Sequence, residues 1–197
     1  VGTWNQLVPL LRSGFSNNQV MCQHAHKYHA IGMLNTDWGD YGHVCQPAFS
    51  IPGILYGAAF AWNANGMTYE EVNDAVSFLA FGDATGDFMR AFDALSCHEV
   101  FNWFHVVRWI EEKDAEKRHA IYNGENLHLE KLESANAEVD AALAQLHAAA
   151  LHMDSSKRGI IEDLALAAEG VKLINDLGCY VGAVEEHRPY AHRNGSE

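Results

Sequence analysis

"IGMLNTDWGDYGHVCQP", residues 31–47, is the stretch on which the fold of this chain turns. It opens as an apolar run, Ile31 to Leu34. It then crowds Asp37, Trp38, Asp40, Tyr41 and His43 into a few positions, with Gly39 and Gly42 between them. The run "AIGMLN" is too short and too continuously apolar for an amphipathic helix. Bounded by turn residues, it predicts a strand buried on both faces, over about 30–36. The two glycines allow a sharp turn and a close backbone approach. Two carboxylates, two aromatics and a histidine therefore sit on one glycine-hinged turn directly after a buried strand.

Upstream, "VGTWN" (1–5) reads as a loop ending at Asn5, a candidate N-cap. Leu7, Leu10, Leu11 and Phe15, then Val20, Met21 and Ala25, follow with helical spacing, so the helix should fade near His29. Pro9 falls in its first turn, where a proline costs little. Downstream, Ser50 before Pro52 signals a helix to about Trp62. In it Gly53, Gly57 and Ala61 recur every four residues, a small-residue groove that another element can approach closely. Loop, helix, strand, loop, helix is the repeat of a parallel α/β protein, present here about one and a half times.

After "NANG" (63–66) no convincing strand appears. Thr68 and Glu71 form a T-x-x-E capping box. "FGDATGD" (81–87) breaks the pattern with Asp83 as cap, and an aromatic-rich helical region from Phe88 to Trp109 follows. Beyond "YNGE" (122–125), Leu132, Ala135, Val139, Leu143, Leu146, Ala150 and Met153 step by three and four. So do Ile161, Leu164, Ala168, Val171, Ile174, Gly178 and Val181, which predicts an antiparallel helical hairpin over about 126–187. The tail "HRPYAHRNGSE" has no periodicity. The expected fold class is mainly α: a partial (β/α) barrel end of one or two parallel strands with helices (1–65), then an all-α helical bundle (66–197).

The 197 residues are 48% hydrophobic, enough for a substantial core. A formal charge of −13 disfavours nucleic acid and anionic lipid as partners. No apolar run is long enough to span a membrane. Cys22, Cys45, Cys97 and Cys179 form no C-x-x-C pair and are expected to be reduced, buried residues of a cytoplasmic protein; no signal peptide is visible.

In parallel α/β folds, ligands sit where strands end and loops begin. An indole and a carboxylate on such a loop suit a sugar. The pyranose C–H face packs on tryptophan, and its hydroxyls donate to an ionised carboxylate, about twice as strongly as to a neutral acceptor. The competing reading is an ordinary loop with Asx-type turns at Asp37 and Asp40 and Trp38 as a hydrophobic lid.

The longer string is more specific. "NTDWGDYGHVCQP", followed by "PGILYGAAFAWN" and preceded by "GTWN", resembles the barrel end of family 20 glycoside hydrolases. The likeness is to the bacterial β-N-acetylhexosaminidase-like branch that carries T-D-W-G-D-x-G-H. It covers roughly residues 1–65, about a third of the chain. It implies that 30–36 is the eighth strand of a (β/α)8 barrel, 50–62 its last helix and 5–29 its seventh. It also implies that Trp38 belongs to the aromatic pocket around an N-acetylhexosamine ring, and that Asp40 accepts from the outer sugar hydroxyls. Trp4 is expected to line the same pocket. The resemblance carries over no role for His43 or Asp37; we read His43 as a rim contact and Asp37 as a residue that shapes the loop.

The family's substrate-assisted mechanism uses an adjacent Asp-Glu pair after the fourth strand. That pair is not in this sequence. Glu70-Glu71, Glu111-Glu112 and Glu185-Glu186 lie in helical patterns where adjacent carboxylates belong to solvated faces, so no catalytic residue is assigned. Two strands cannot close a barrel. The chain alone is therefore expected to lack hydrolase activity. It would need the remaining N-terminal barrel portion of the same protein, or a homodimer, to cover its sheet edges. No cofactor is implied.

Two rivals come from other classes. One is a non-catalytic helical interaction module with an exposed aromatic surface between Phe101 and Trp109. The other is a metal-binding helical bundle: His26 and His29 are spaced i, i+3, and "EKRH" (116–119) and "ENLH" (125–128) each put a carboxylate and an imidazole on one helix face.

Overall fold

The computed structural model describes residues 2–3, 6–39, 42, 44–97, 101–124 and 129–185. Among them are eight helices and no strand. They are α1 (Leu11–Lys27), α2 (Ile51–Trp62), α3 (Tyr69–Phe81), α4 (Asp87–Ser96), α5 (Trp103–Glu111), α6 (Ala115–Gly124), α7 (Leu129–Ala149) and α8 (Gly159–Glu185). Short 3-10 turns, Pro47–Ser50 and Ser155–Lys157, precede α2 and α8. The chain is mainly helical, as its periodicities predict.

The strand expected over 30–36 is not formed. The segment is extended, but no backbone hydrogen bond joins residues 31–35 to another described backbone group. A strand exists only through a ladder to a neighbour, and here the neighbours are helices. Burial on both faces fails for the same reason. Met33 packs against the core, whereas Ile31 is fully exposed and Leu34 is 85% exposed.

The first helix also begins later than expected. Proline restricts the residue before it to extended conformations, and Pro9 thereby keeps Val8 out of the helix. The described residues before α1 are not helical; Gln6 N–H donates to Thr3 O at 3.2 Å and Leu10 N–H to Gly2 O at 2.9 Å. Gly2 has φ +80°, and a Cβ there would lie 2.9 Å from Leu10 O, so glycine is required. The expected cap Asn5 lies outside the described residues.

Most of the local signals after residue 50 hold. Helix α2 runs to Trp62, as the Ser50-Pro52 signal predicts, and its glycine groove is filled. Asn35 donates to Gly53 O at 2.9 Å, and Asn18 of α1 reaches the same oxygen at 3.5 Å. At α3 both capping-box bonds form: Glu71 N–H to Thr68 Oγ1 at 3.2 Å and Thr68 N–H to Glu71 Oε2 at 2.8 Å. Asp83 is fully buried, and its carboxylate accepts from Thr85 N–H, Phe88 N–H and Ser77 Oγ, each at 2.9 Å. Burial alone would raise its pKa, but these bonds outweigh it and hold the carboxyl below its ordinary value.

The hairpin is antiparallel. Asn136 Nδ2 bonds Asp176 at 2.9 Å, and Asp140 pairs with Lys172 at 2.7 Å, so four residues forward on α7 is four residues back on α8. Most residues of the two predicted stripes are buried, and Leu143, Ala150 and Ile174 pack partly buried against them. The aromatic region is mainly core: Phe88, Phe92 and Phe101 are fully buried, and Trp103 and Trp109 pack against Phe101, Val106 and Leu132. Cys22, Cys45 and Cys179 are buried thiols, whereas Cys97 is an exposed one.

One apolar core runs from Val8, Leu11 and Phe15 through Phe49, Tyr56 and Phe60 to Val139, Leu164 and Val171. It crosses residue 65 without interruption. A polar network reinforces the crossing: Asp93 of α4 accepts from Arg12 of α1 at 2.7 Å and from the Tyr69 hydroxyl of α3 at 2.6 Å. Beside it the Tyr56 hydroxyl donates to Asn73 at 2.5 Å. Burial pushes both phenols well above the ordinary tyrosine range.

Candidate functional site

Segment 33–38 keeps the period of a strand without its ladder. Met33 leans on the core, Asn35 is bound to α2, and Asp37 is bound to two hydroxyls, while Leu34, Thr36 and Trp38 face outward. Successive side chains alternate because the backbone is extended.

Trp38 is 61% exposed, and its indole Nε1–H donates to Thr36 Oγ1 at 2.9 Å. Thr36 and Trp38 are i, i+2 on one face, so the hydroxyl below orients the ring and leaves it open to solvent. Asp37 points the other way. One of its oxygens accepts from Thr3 Oγ1 and the other from Ser50 Oγ. Thr3 is 1% and Ser50 2% exposed, so both donors are fixed in the protein body. Ser50, expected as a helix cap, makes no side-chain cap bond and serves Asp37 instead.

The far end of the loop is fixed separately. Cys45 and Phe49 are buried in the core, and Phe49 packs edge-on against Phe92 of α4 at 5.8 Å. Gln46 caps the turn at Ala48 N–H and donates to Asp163 of α8 at 2.9 Å. The described ends of the loop are therefore tied to Thr3, to the turn before α2, to α4 and to α8.

Of the five candidate side chains, Trp38 and Asp37 are placed; Trp4, Asp40 and His43 lie outside the described residues. Sequence reasoning missed Thr3, Gln46 and the second role of Ser50. The usable signal was the excess of short hydroxyl and amide side chains flanking an acidic turn. It names no pairs, because the partners lie 13, 34 and 117 residues apart.

Two clefts flank the extended segment, and Trp38 lines neither. The larger, about 570 Å³, lies between the ends of α1 and α2 and is lined by Cys22, His26, His29, Phe60, Trp62 and Asn63 among others. The second, about 410 Å³, lies between α1 and residues 30–36. Among the described residues neither lining contains a carboxylate; the titratable side chains they hold are Cys22, His26 and His29 in the first and His24 in the second.

The carboxyls of Asp83, Asp87 and Asp154 are held below their usual range, the reverse of what a general acid requires. Glu71 is spent on its capping box. Among the described residues, no three His, Cys, Asp or Glu side chains converge as metal ligands would, and no helix is long and apolar enough to cross a membrane. His128 of the second E-x-x-H lies outside the described residues.

The site is thus an outward indole on a loop held at both ends, with no acid/base pair beside it among the described side chains. No family model, curated protein or solved structure matches this chain.

Proposed function

We propose that this chain is the C-terminal portion of a glycoside hydrolase that acts on terminal N-acetylhexosamine residues with retention, assisted by the substrate's own acetamido group. It supplies sugar-binding residues, Trp38 foremost, with Asp40 and Trp4, and His43 at the rim. The proton donor and the carboxylate that orients the acetamido group come from another part of the same protein. The observation that carries this reading is the string "NTDWGDYGH", whose first residues, 35–38, are extended and turn the indole outward beside an orienting hydroxyl.

Further support comes from what the segment and α2 leave uncovered. Helix α2, "IPGILYGAAFAW", has no charged residue, yet Ile54 is exposed and Trp62 is 93% exposed. A helix apolar all round belongs in an interior. With the unladdered 31–35 and exposed Leu34, it fits the last strand and helix of a barrel whose other strands would cover both.

The test is titration of the chain with N-acetylglucosamine, read by tryptophan fluorescence. The reading expects a response that is lost in Trp38→Phe and in Asp40→Ala, and no hydrolysis of an aryl N-acetylglucosaminide by the chain alone. Silence at millimolar sugar would instead favour a non-catalytic interaction module, the second reading, which the same uncharged α2 face favours.

A further inference from the structure

We propose that Asp37 is a positioning residue: a carboxylate latch that holds the hydroxyls of Thr3 and Ser50, and so fixes the direction in which Trp38 presents its ring. The proposal rests on the sugar-binding reading for its consequence, but its geometry stands apart from it. Both oxygens of Asp37 are occupied by protein donors on the inward side of the segment, while Trp38 and Thr36 stand on the outward side. Asp37 is itself exposed, but each of its oxygens is bonded to a hydroxyl of the protein body, and it acts through the loop.

The two donors come from different elements. Thr3 lies before α1, next in sequence to Trp4, and Ser50 ends the 3-10 turn that leads into α2. Both hydroxyls are buried, so each needs an acceptor, and an ionised carboxylate is the strongest one a side chain offers. One residue thereby joins Thr3 and the segment that carries Trp38 to the turn that leads into α2. Gly39 and Gly42 follow directly, and Gly42 has φ +102°. A glycine directly after the indole does not hold the ring by itself, so the direction of the indole depends on the residue before it. Without the latch only a fraction of molecules present the ring correctly. The apparent dissociation constant rises as the inverse of that fraction, roughly tenfold if one molecule in ten remains competent.

The experiment uses the chain labelled with 5-fluorotryptophan, followed by fluorine NMR with and without N-acetylglucosamine; the Trp38 line is assigned through Trp38→Phe. Thr3→Val, Ser50→Ala and Asp37→Ala are expected to shift or broaden the Trp38 line in the unliganded protein. The lines of Trp62, Trp103 and Trp109 should stay in place, and sugar binding should weaken about tenfold. Asp37→Asn should restore both, because an amide accepts from one hydroxyl and donates to the other. A Trp38 line indifferent to Thr3→Val and Ser50→Ala would overturn the proposal. So would an Asp37→Asn variant as impaired as Asp37→Ala, which would mean that the charge itself meets the ligand. If the wild-type line ignores the sugar, the binding reading falls, and the latch is still decided by the unliganded spectra.

Discussion

Gly57→Ala tests the seam between the site segment and α2. A Cβ at residue 57 would lie 2.3 Å from Asn35 Nδ2, 3.0 Å from its Cγ and 3.1 Å from Asn18 Oδ1. In an exposed helix, glycine to alanine gains about 1 kcal/mol from propensity. Here the methyl must expel the Asn35 amide, which breaks its 2.9 Å bond to Gly53 O, a loss of about 1 kcal/mol. Overpacking of a closed seam adds about 1–3 kcal/mol. The balance is a destabilisation of about 2 kcal/mol, or a fall in Tm of about 6 °C for a chain of this size. Urea and thermal unfolding followed by far-UV circular dichroism measure it. Since the contact under 3 Å is with Asn35, with Asn18 Oδ1 next at 3.1 Å, Asn35→Ala should absorb most of the clash: Gly57→Ala in that background should cost little, and the double-mutant coupling should be about 1–2 kcal/mol. A stabilised single variant, or additive effects of the two changes, would refute the close approach.

Three further outcomes follow from the same contacts. Asp83→Ala strands the donors of Thr85, Phe88 and Ser77 in the interior and should cost about 2–4 kcal/mol by urea unfolding. Because the folded pKa of Asp83 is depressed, its contribution is complete above the unfolded value of about 3.9 and is lost as pH falls through the folded value, so the two proteins should converge below about pH 4. Tyr56 and Tyr69 have raised folded pKa values, so their contribution is complete below about pH 10 and fades above it; two of the seven tyrosines should ionise only with alkaline unfolding, as read by difference absorbance. The isolated chain should self-associate through α2 at micromolar concentration, more tightly as salt screens its −13 charge, and Ile54→Asp with Trp62→Ser should leave a monomer in sedimentation velocity.

What was legible in the sequence was local. The Thr68–Glu71 capping box and the stripes of α7 and α8 are set by residues within a turn or two of each other, and each formed; Asp83 was expected as the cap of α4, but the cap position is Gly86, and Asp83 reaches Phe88 N–H from three residues further back. Pro9 was misjudged because its effect on Val8 outweighed an otherwise regular spacing. The strand over 30–36 was misjudged for another reason. An apolar run states how much burial a segment requires, and helices α1 and α2 bury only its inward row. Leu34, Thr36 and Trp38 keep strand alternation on a face that no described element covers. The latch was invisible because it joins Thr3, Asp37 and Ser50, whose spacing carries no period.

The loop from Asp37 to Gln46 is held by two anchors of different physical kinds, and the difference decides how it responds to change. At the downstream end the anchor is apolar: Cys45 and Phe49 are buried with Phe92, and removing Phe49 would cost about 3–5 kcal/mol and loosen the core with it. The bond from Gln46 to Asp163 is exposed and adds direction more than stability. At the upstream end the anchor is a carboxylate and two hydroxyls, polar and specific in direction, and the apolar core shared by α1 to α4, α7 and α8 does not depend on it. Thr3→Val and Ser50→Ala, which remove a donor instead of stranding one, should therefore alter the indole with little effect on global stability, whereas mutations at Phe49 should alter both together. That asymmetry separates a residue that orients the site from one that merely holds the fold, and it places the control of Trp38 on the side of Asp37.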